Sequence, residues 1–496
     1  MKLMGQLTAV DTNFLDIESR RTLSHIGGLA ILDTTLCADG RLTRGDMVDL
    51  IRERAHLAKP LRRRLASVPF RLDRPYWEDD PNFDPGRHVH EVALPAPGDD
   101  LQLGAEVARI HERPLDRRRP LWELFLIQGL AGGRAAIYAK VHHACVDGVL
   151  AAELLAALLD LQPEAATPPA PPQEKELRPE LLPMLTRGVT RFALHPVRST
   201  EALVRTAGHL DQLPVIGGLP GVREMSRAVR SVLGQRQPAP TEAQSPPPRT
   251  PFNAPISQHR AFAFGSLPLE DVKKVRRALG VSVNDVVMAM CTGALRQWLL
   301  DHDALPDRPL VACVPVSMRR RAECGDGNAL SAMFAPLPVQ IADPTERFLA
   351  VRAAMVNVKR RFAVSRGSWF EEVSALMPAA LSGLATRLAM QVAPAINPVN
   401  LLVSNVPGPQ QPLYARGARV LAYYPASVIS DVTGGVNITV FSYDGNLDVG
   451  VIACPDLVPD TWNLVDYLRE SLNELLKIVE AEEAPALLQD RHAGPA

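Results

Sequence analysis

The chain has 496 residues, 46% of them hydrophobic, and a formal net charge of -1. That length exceeds one comfortable core and implies two domains, while the near-zero charge excludes a nucleic-acid binder driven by bulk positive charge. Six cysteines, at positions 37, 145, 291, 313, 324 and 454, form no CxxC pair and fit neither a zinc site nor a disulfide framework, so a reducing, cytoplasmic setting is expected.

The N-terminal stretch "MKLMGQLTAVDTNFLD" lacks the sustained apolar core of a secretory signal. The long uncharged run from Leu388 to Ala415 is broken by prolines and by Asn397, Asn400 and Asn405, which rules it out as a clean membrane-spanning helix. Any membrane contact is therefore expected to be peripheral. The "NIT" at Asn437 matches a glycosylation acceptor, but without a secretion route it is read as chance.

In chain order, "IGGLAIL" (26–32) reads as a strand and 44–66 as a helix interrupted by Pro60. Residues 101–114 read as a helix ended by Pro114. "LWELFLIQGL" (121–130) and "AAIYAKV" (135–141) read as two strands of a hairpin, followed by a strongly apolar helix over 149–161. Between about 163 and 250 the composition turns proline-rich at both ends, with an arginine excess and two short amphipathic helices expected in the middle. That stretch reads as a solvated crossover, or as a surface for anionic lipid or acyl-CoA phosphate.

The second half reads as a helix over 267–280 ended by Gly280 and a helix over 282–300 with Asn284 and Asp285 at its start. A buried strand is expected over 310–318 and a hairpin over 436–454, with Asp444-Gly445 at its turn. A closing helix over 460–481 should have Asp460 as N-cap.

The chemistry concentrates in "KVHHACVDG" (140–148). An apolar strand ends at Val141, so His142 and His143 fall in the connection to the next helix, where side chains reach a cleft. A neutral histidine there can take a proton from a hydroxyl or thiol. Asp147 can cap the helix or orient a cation, and Gly148 permits a tight turn or close approach of a ligand. The residues alone leave three readings open: structural histidines, a general base, or metal ligands with help from "HVH" at His88–His90. Those two histidines, on a strand-like segment, also fit ordinary surface positions.

HHxxxDG resembles the signature of the coenzyme-A-dependent acyltransferase superfamily, which includes chloramphenicol acetyltransferase and the condensation domains of peptide synthetases. Within it, the chain resembles the bacterial wax ester synthase/diacylglycerol acyltransferase family. "LTAVDTNFLDIE", "RPLDRRRPLWELFLIQGL", "SVNDVVMAMCTGALR", "VPVSMR", "GNALSAMFAPLP" and "NLLVSNVPGP" match family blocks in family order, from about residue 7 to 480.

The resemblance implies an α/β fold of two chloramphenicol-acetyltransferase-like domains with mixed sheets, joined by a long crossover. The expected limits are 1–165 and 251–482 for the domains, 166–250 for the crossover and 483–496 for a tail. It further implies that His143 is the general base, that His142 supports it or lines the pocket, and that Gly148 keeps the acyl or CoA channel open. Asp147 would be structural, turned toward an arginine, with Arg319 of "VPVSMR" as its partner. Asn284 would donate its amide to the tetrahedral intermediate or act as a helix cap, and Asp285 would be a cap or ion-pair member. Pro120, Leu121 and Trp122 would form a packing unit near the pocket, with Glu18 a candidate partner. Asn405, Pro407 and Gly408 would make a rigid turn shaping the channel or the domain seam. Cys145 would be a packing residue and not a nucleophile.

The implied reaction is transfer from long-chain acyl-CoA, a substrate, to diacylglycerol or a long-chain alcohol. No resident cofactor, metal or nucleic acid is expected; a cytoplasmic protein, with peripheral contact at a membrane or lipid droplet, is. Two rivals stand beside it: acyl transfer from a carrier protein to a polyketide or peptide, and a non-catalytic lipid-binding protein. Lys359, Arg360 and Arg361 form a basic cluster that is a candidate for the CoA phosphates.

Overall fold

Strand pairing divides the structure, a computed structural model, into two six-stranded mixed sheets and a two-stranded one. It describes residues 5–146, 154, 157–164, 183–187, 189–190, 222–232, 247–317, 330–364, 379–396 and 398–481. Asp147, Gly148 and Arg319 lie outside the described residues, as do most of the expected helix over 149–161 and the expected tail. Within the crossover, Val222–Val232 is helical, as are short pieces between 183 and 190.

The N-terminal sheet runs β11 (Tyr414–Ala415), β12 (Ala418–Ala426), β1, β6, β5 and β4. Its centre is β1 (His25–Asp33) beside β6 (Ala135–His142), then β5 (Trp122–Gln128) and β4 (Val89–Ala93). The expected hairpin over 121–141 is present as β5 and β6. β6 has one half-buried residue and is otherwise buried, the pattern of a strand covered on both faces. The β1–β6 register sets His25 opposite His142 at the end of the ladder. Helix α3 (Asp100–His111) packs under this sheet, and the buried Lys140 of β6 fastens its end. Lys140 Nζ donates to the carbonyls of Ile110 at 3.0 Å and Arg113 at 2.9 Å, and lies 3.1 Å from Glu123 Oε2.

The expectation of one helix over 44–66 is corrected. The helix stops at Arg54, Pro60 sits in a short 3₁₀ turn, and Arg63–Ala66 (β2) pairs with Tyr76–Asp79 (β3). Pro60 cannot donate a helical hydrogen bond. Pairing with β3 makes "RRLA" a strand, whose Arg64 meets its cross-strand partner Glu78 at 2.8 Å.

The C-terminal sheet runs β7-β14-β13-β10-β8-β9. These are Ala261–Pro268, Asn446–Ala453, Val436–Tyr443, Leu401–Pro407, Leu310–Ser317 and Leu330–Leu337 in that order. β10 is parallel to both β13 and β8, and the other pairings are antiparallel. The hairpin expected over 436–454 forms as β13 and β14. The helix Leu269–Leu279 ends at Gly280 in the left-handed region, at φ 60°, as the sequence implied. The helices Val283–Asp301 and Thr461–Glu480 pack together on the sheet, burying Trp298, Leu464, Leu468 and Leu472.

Asp460 does not cap its helix through its side chain. Its carboxylate accepts instead from Trp298 Nε1 at 2.9 Å and Asn463 Nδ2 at 3.0 Å, because a buried indole N–H must find an acceptor.

Strands β11 (Tyr414–Ala415) and β12 (Ala418–Ala426) come from the C-terminal half of the chain, yet they complete the N-terminal sheet, where β12 pairs along β1. Close contacts at the seam enforce the crossing. A Cβ at Gly28 would overlap the Tyr423 ring, and one at Gly450 of β14 would overlap the Pro425 carbonyl. The buried Asp448 accepts from the Tyr423 N–H at 2.7 Å and from Ser266 Oγ at 2.6 Å. Burial raises its carboxyl to about 6 against those two bonds. Gly450→Ala should cost about 3 kcal/mol, since backbone rather than a flexible side chain stands in the way. Urea unfolding of the two proteins side by side measures it.

Candidate active site

The histidine pair closes β6, and its backbone is pinned on three sides. The His142 N–H donates to Leu121 O at 2.9 Å, the His143 N–H to Ser24 O at 2.8 Å, and the Cys145 N–H to His142 O at 2.9 Å. The PLW block therefore backs the site. Leu121 supplies a carbonyl and is fully buried, and the Trp122 N–H bonds the Pro120 carbonyl at 2.9 Å. Trp122 Nε1 donates to Leu61 O at 3.0 Å.

His88 belongs to this packing and not to the surface, which corrects that reading. It is buried just before β4, stacks on Trp122 at 4.5 Å, and its Nδ1 lies 2.9 Å from Trp122 O. The stack takes the ring out of water and lowers its pKa. His90 is half-buried against Phe125. Among the described residues no group of three or more His, Cys, Asp or Glu is arranged to hold a metal ion.

The His142 tautomer follows from its neighbours. The Ala144 N–H donates to Nδ1 at 3.0 Å, so Nδ1 is the acceptor nitrogen and Nε2 carries the proton. Nε2 lies 3.1 Å from Glu18 Oε1. The same oxygen is 3.4 Å from His25 Nε2 and accepts from the Ser24 N–H at 3.1 Å. Arg117 completes the set, with Nη2 2.5 Å and Nε 3.2 Å from Glu18 Oε2. Glu18 therefore ties together Ser24, which holds His143, and His142, which precedes it. Burial by itself would raise this carboxyl, but the contacts with His142 and His25 outweigh it and hold Glu18 well below the usual carboxylate range. Burial likewise pushes His25 down.

Glu18 lies just beyond helix α1 (Ala9–Asp16), which starts with a capping box between Thr8 and Asp11. α1 lies over the loop. Its Phe14 stacks on the His143 ring at 4.1 Å and 6° between planes. Leu15 and Phe14 share an apolar cluster with Leu121, Ala144 and Cys145. His142 is thus locked in the interior, while His143 is half-buried with one ring face against Phe14.

Burial pushes the Cys145 thiol far above its ordinary value, with Asp11 adding to the effect. A nucleophilic thiolate is disfavoured at neutral pH in such surroundings. Cys145→Ala should keep acyl-transfer activity within about twofold if the side chain only packs; a loss of a hundredfold would make it a participant.

The C-terminal blocks sit as follows. Ser282, not Asn284, caps the helix Val283–Asp301, through a capping box with Asp285. That corrects the cap reading of Asn284, which lies half-buried in the first turn. Asp285 has both of its expected roles, since Lys359 Nζ lies 2.7 Å from it. Lys359 is thereby engaged in holding a helix start, and Arg360 beside it is exposed. Asn405 and Pro407 lie in β10, and Gly408 follows it, its N–H donating to Ser442 Oγ at 3.1 Å. A Cβ at Gly408 would overlap Phe441. Val406 packs into the apolar cluster that contains Phe441 and Val146 of the histidine loop, so this block meets the site at the seam between the sheets.

A family model for the wax ester synthase/diacylglycerol acyltransferase catalytic domain matches residues 7–287, and one for the WS/DGAT C-terminal domain matches 326–476. The chain belongs to the wax ester synthase/diacylglycerol acyltransferase family. Among its relatives, a Mycobacterium tuberculosis protein named as a diacylglycerol O-acyltransferase is 36% identical over 489 residues, which are 98% of this chain and 93% of that one. The wax ester synthase/diacylglycerol acyltransferase from Marinobacter aquaeolei VT8 superposes with a TM-score of 0.67 at 30% identity, covering 96% of this chain and all of that one. The first condensation domain of the CDA synthetase shares the fold, at TM-score 0.53 and 16% identity over 95% of this chain and 96% of that one. The WS/DGAT architecture is thus the expected α/β arrangement with mixed sheets.

The histidines and the PLW unit were legible in the sequence, whereas the rigid turn expected at Asn405, Pro407 and Gly408 is corrected to the end of strand β10, with Gly408 packed against Phe441. Sequence reasoning connected Glu18 with the PLW block, whereas the carboxylate engages His142, His25 and Arg117. The available signal was its place in "LTAVDTNFLDIE", two residues past α1. His25 and Lys140 were missed as parts of the buried polar layer under the loop.

Proposed function

We propose that the protein is an acyl-CoA-dependent O-acyltransferase that esterifies diacylglycerol, long-chain alcohols, or both. His143 takes the proton from the acceptor hydroxyl as its oxygen attacks the thioester carbonyl. The tetrahedral intermediate then collapses, the C–S bond breaks, and the proton passes from His143 to the departing CoA sulfur. No acyl-enzyme is formed, so Cys145, half-buried in the apolar cluster, has no chemical part.

The observation that carries this reading is the fixed tautomer of His142 and the Ser24 clamp on the next residue, which together orient one half-buried imidazole at the end of a strand. Asn284 is proposed as a donor to the developing oxyanion, and Asp147 and Arg319 as the pair that holds the far side of the loop. The protein would work at a lipid surface, by peripheral contact.

The test is an assay with palmitoyl-CoA, offering hexadecanol and dioleoylglycerol in parallel and resolving the products by thin-layer chromatography. Wax ester or triacylglycerol is the expected product. Turnover with palmitoyl-loaded acyl carrier protein and none with palmitoyl-CoA would overturn the donor, and no ester from any pairing would overturn the reaction.

A further inference from the structure

We propose that the helix Ala379–Ile396 and the turn at Phe70 form a docking surface for an anionic phospholipid membrane, beside helix α1, which carries the ring stacked on His143. The claim that this surface delivers the acceptor rests on the reaction proposed above; the surface itself does not.

The helix presents Leu381, Leu384 and Leu388, spaced along one face, at 46%, 62% and 53% exposure. Arg387 is its sole charged residue. No single helix among the described residues is long and apolar enough to cross a membrane. An apolar face of this kind suits a helix lying in the plane of the interface.

Phe70 carries the second observation. It is 88% exposed, and it and Arg71 both have left-handed backbones, at φ 56° and 54°. For a bulky residue that conformation costs about 1–2 kcal/mol, so the fold spends stability to hold an aromatic ring out in water. Phe and Leu are among the side chains that interfacial segments bury at the boundary of headgroups and acyl chains. The turn lies against the helix, since the Arg71 guanidinium reaches to 3.4 Å from where a Cβ on Gly383 would stand. Arg71 and Arg387 outnumber the Asp16 carboxylate beside Gly383, so these three groups leave the patch a net positive charge, which matches anionic headgroups.

Position links the patch to the chemistry. Ser382 Oγ donates to Asp16 Oδ2 at 2.9 Å, docking the helix on α1, and α1 carries the Phe14 ring stacked on His143. The base is therefore separated from the patch by one helix, and packed helix axes lie about 8–10 Å apart.

The full-length protein is floated with vesicles of dioleoylphosphatidylcholine and dioleoylphosphatidylglycerol, with and without dioleoylglycerol. The wild type should float. Leu384→Glu/Leu388→Glu should lower the bound fraction about tenfold or more, a charge near the apolar interface being costly. Phe70→Ser, at an exposed side chain that the core does not use, should lower it severalfold and keeps the test valid if the double variant misfolds. Both variants should lose esterification of vesicle-embedded dioleoylglycerol while keeping transfer from palmitoyl-CoA to a short, water-soluble alcohol.

Unchanged flotation in both variants would overturn the proposal. So would a wild type that runs as a dimer by light scattering and becomes a monomer in the double variant, because a second copy would then cover the face. If the wild type floats, the variants do not, and no acceptor is esterified at all, the surface stands and the proposed reaction falls.

Discussion

His143→Ala should lower kcat for ester formation from palmitoyl-CoA by about 10²–10⁴-fold, the usual worth of a positioned general base. The half-buried ring packs on Phe14, and the His143 clamp to Ser24 runs through its backbone N–H, so the fold should survive. His143→Gln is the sharper control. It keeps polarity and much of the volume but cannot carry the proton, and should be about as inactive as alanine. A glutamine variant with near wild-type turnover would assign the ring to shape and not to proton transfer. Thermal unfolding within a few degrees of wild type for both variants separates lost chemistry from lost structure.

The second large effect is expected at Glu18. Its carboxylate holds His142 Nε2, the Ser24 N–H and the exposed Arg117, so Glu18→Ala leaves the buried His142 and Ser24 donors without their acceptor. A charge-assisted hydrogen bond contributes about 1.5–3 kcal/mol, and the variant should lose at least about that much stability. Glu18→Gln is milder in shape but sets an amide N–H against a donor. We expect kcat to fall about 10²-fold with KM near wild type, the effect of moving the base by a fraction of an ångström to one ångström. Glu18 is a positioning residue, so the split between kcat and KM matters: an equal loss in a packing mutant elsewhere would raise KM or unfold the protein.

The pH dependence has a definite sign. Glu18 is held below its ordinary value of 4.5, so its stabilisation is complete above that pH and is lost as pH falls toward the folded-state value. The wild type should lose Tm on acidification below about pH 4.5 more steeply than Glu18→Gln, which has no proton to take up. Parallel slopes would show that the carboxylate is not what the loop depends on.

What the sequence made legible is what short-range pattern encodes. The strand before the histidines, the left-handed Gly280 and the Asp444-Gly445 hairpin each follow from a period or a turn residue within one window. Glu18 with His142, and Trp298 with Asp460, pair groups far apart in the chain that no local period marks. Two failures have local causes. "RRLA" was absorbed into a helix because charged and apolar residues fit either period over four positions, and only the pairing with β3 decides. Asp460 has the residue type of a cap, but a buried indole claimed its carboxylate.

The strand that crosses from the C-terminal half to β1 bears on how this chain is made. β1 and the histidine strand emerge from the ribosome early, but the partner along the other edge of β1 is not synthesised until residue 426. Until then β1 carries an open edge of unpaired backbone groups, with the Gly28 side of the sheet lacking its Tyr423 cover. The first half of the protein should therefore be a poor folding unit when expressed alone. Chaperone demand during synthesis should last until the second half has emerged, as expected where distant segments must meet before their contacts stabilise anything.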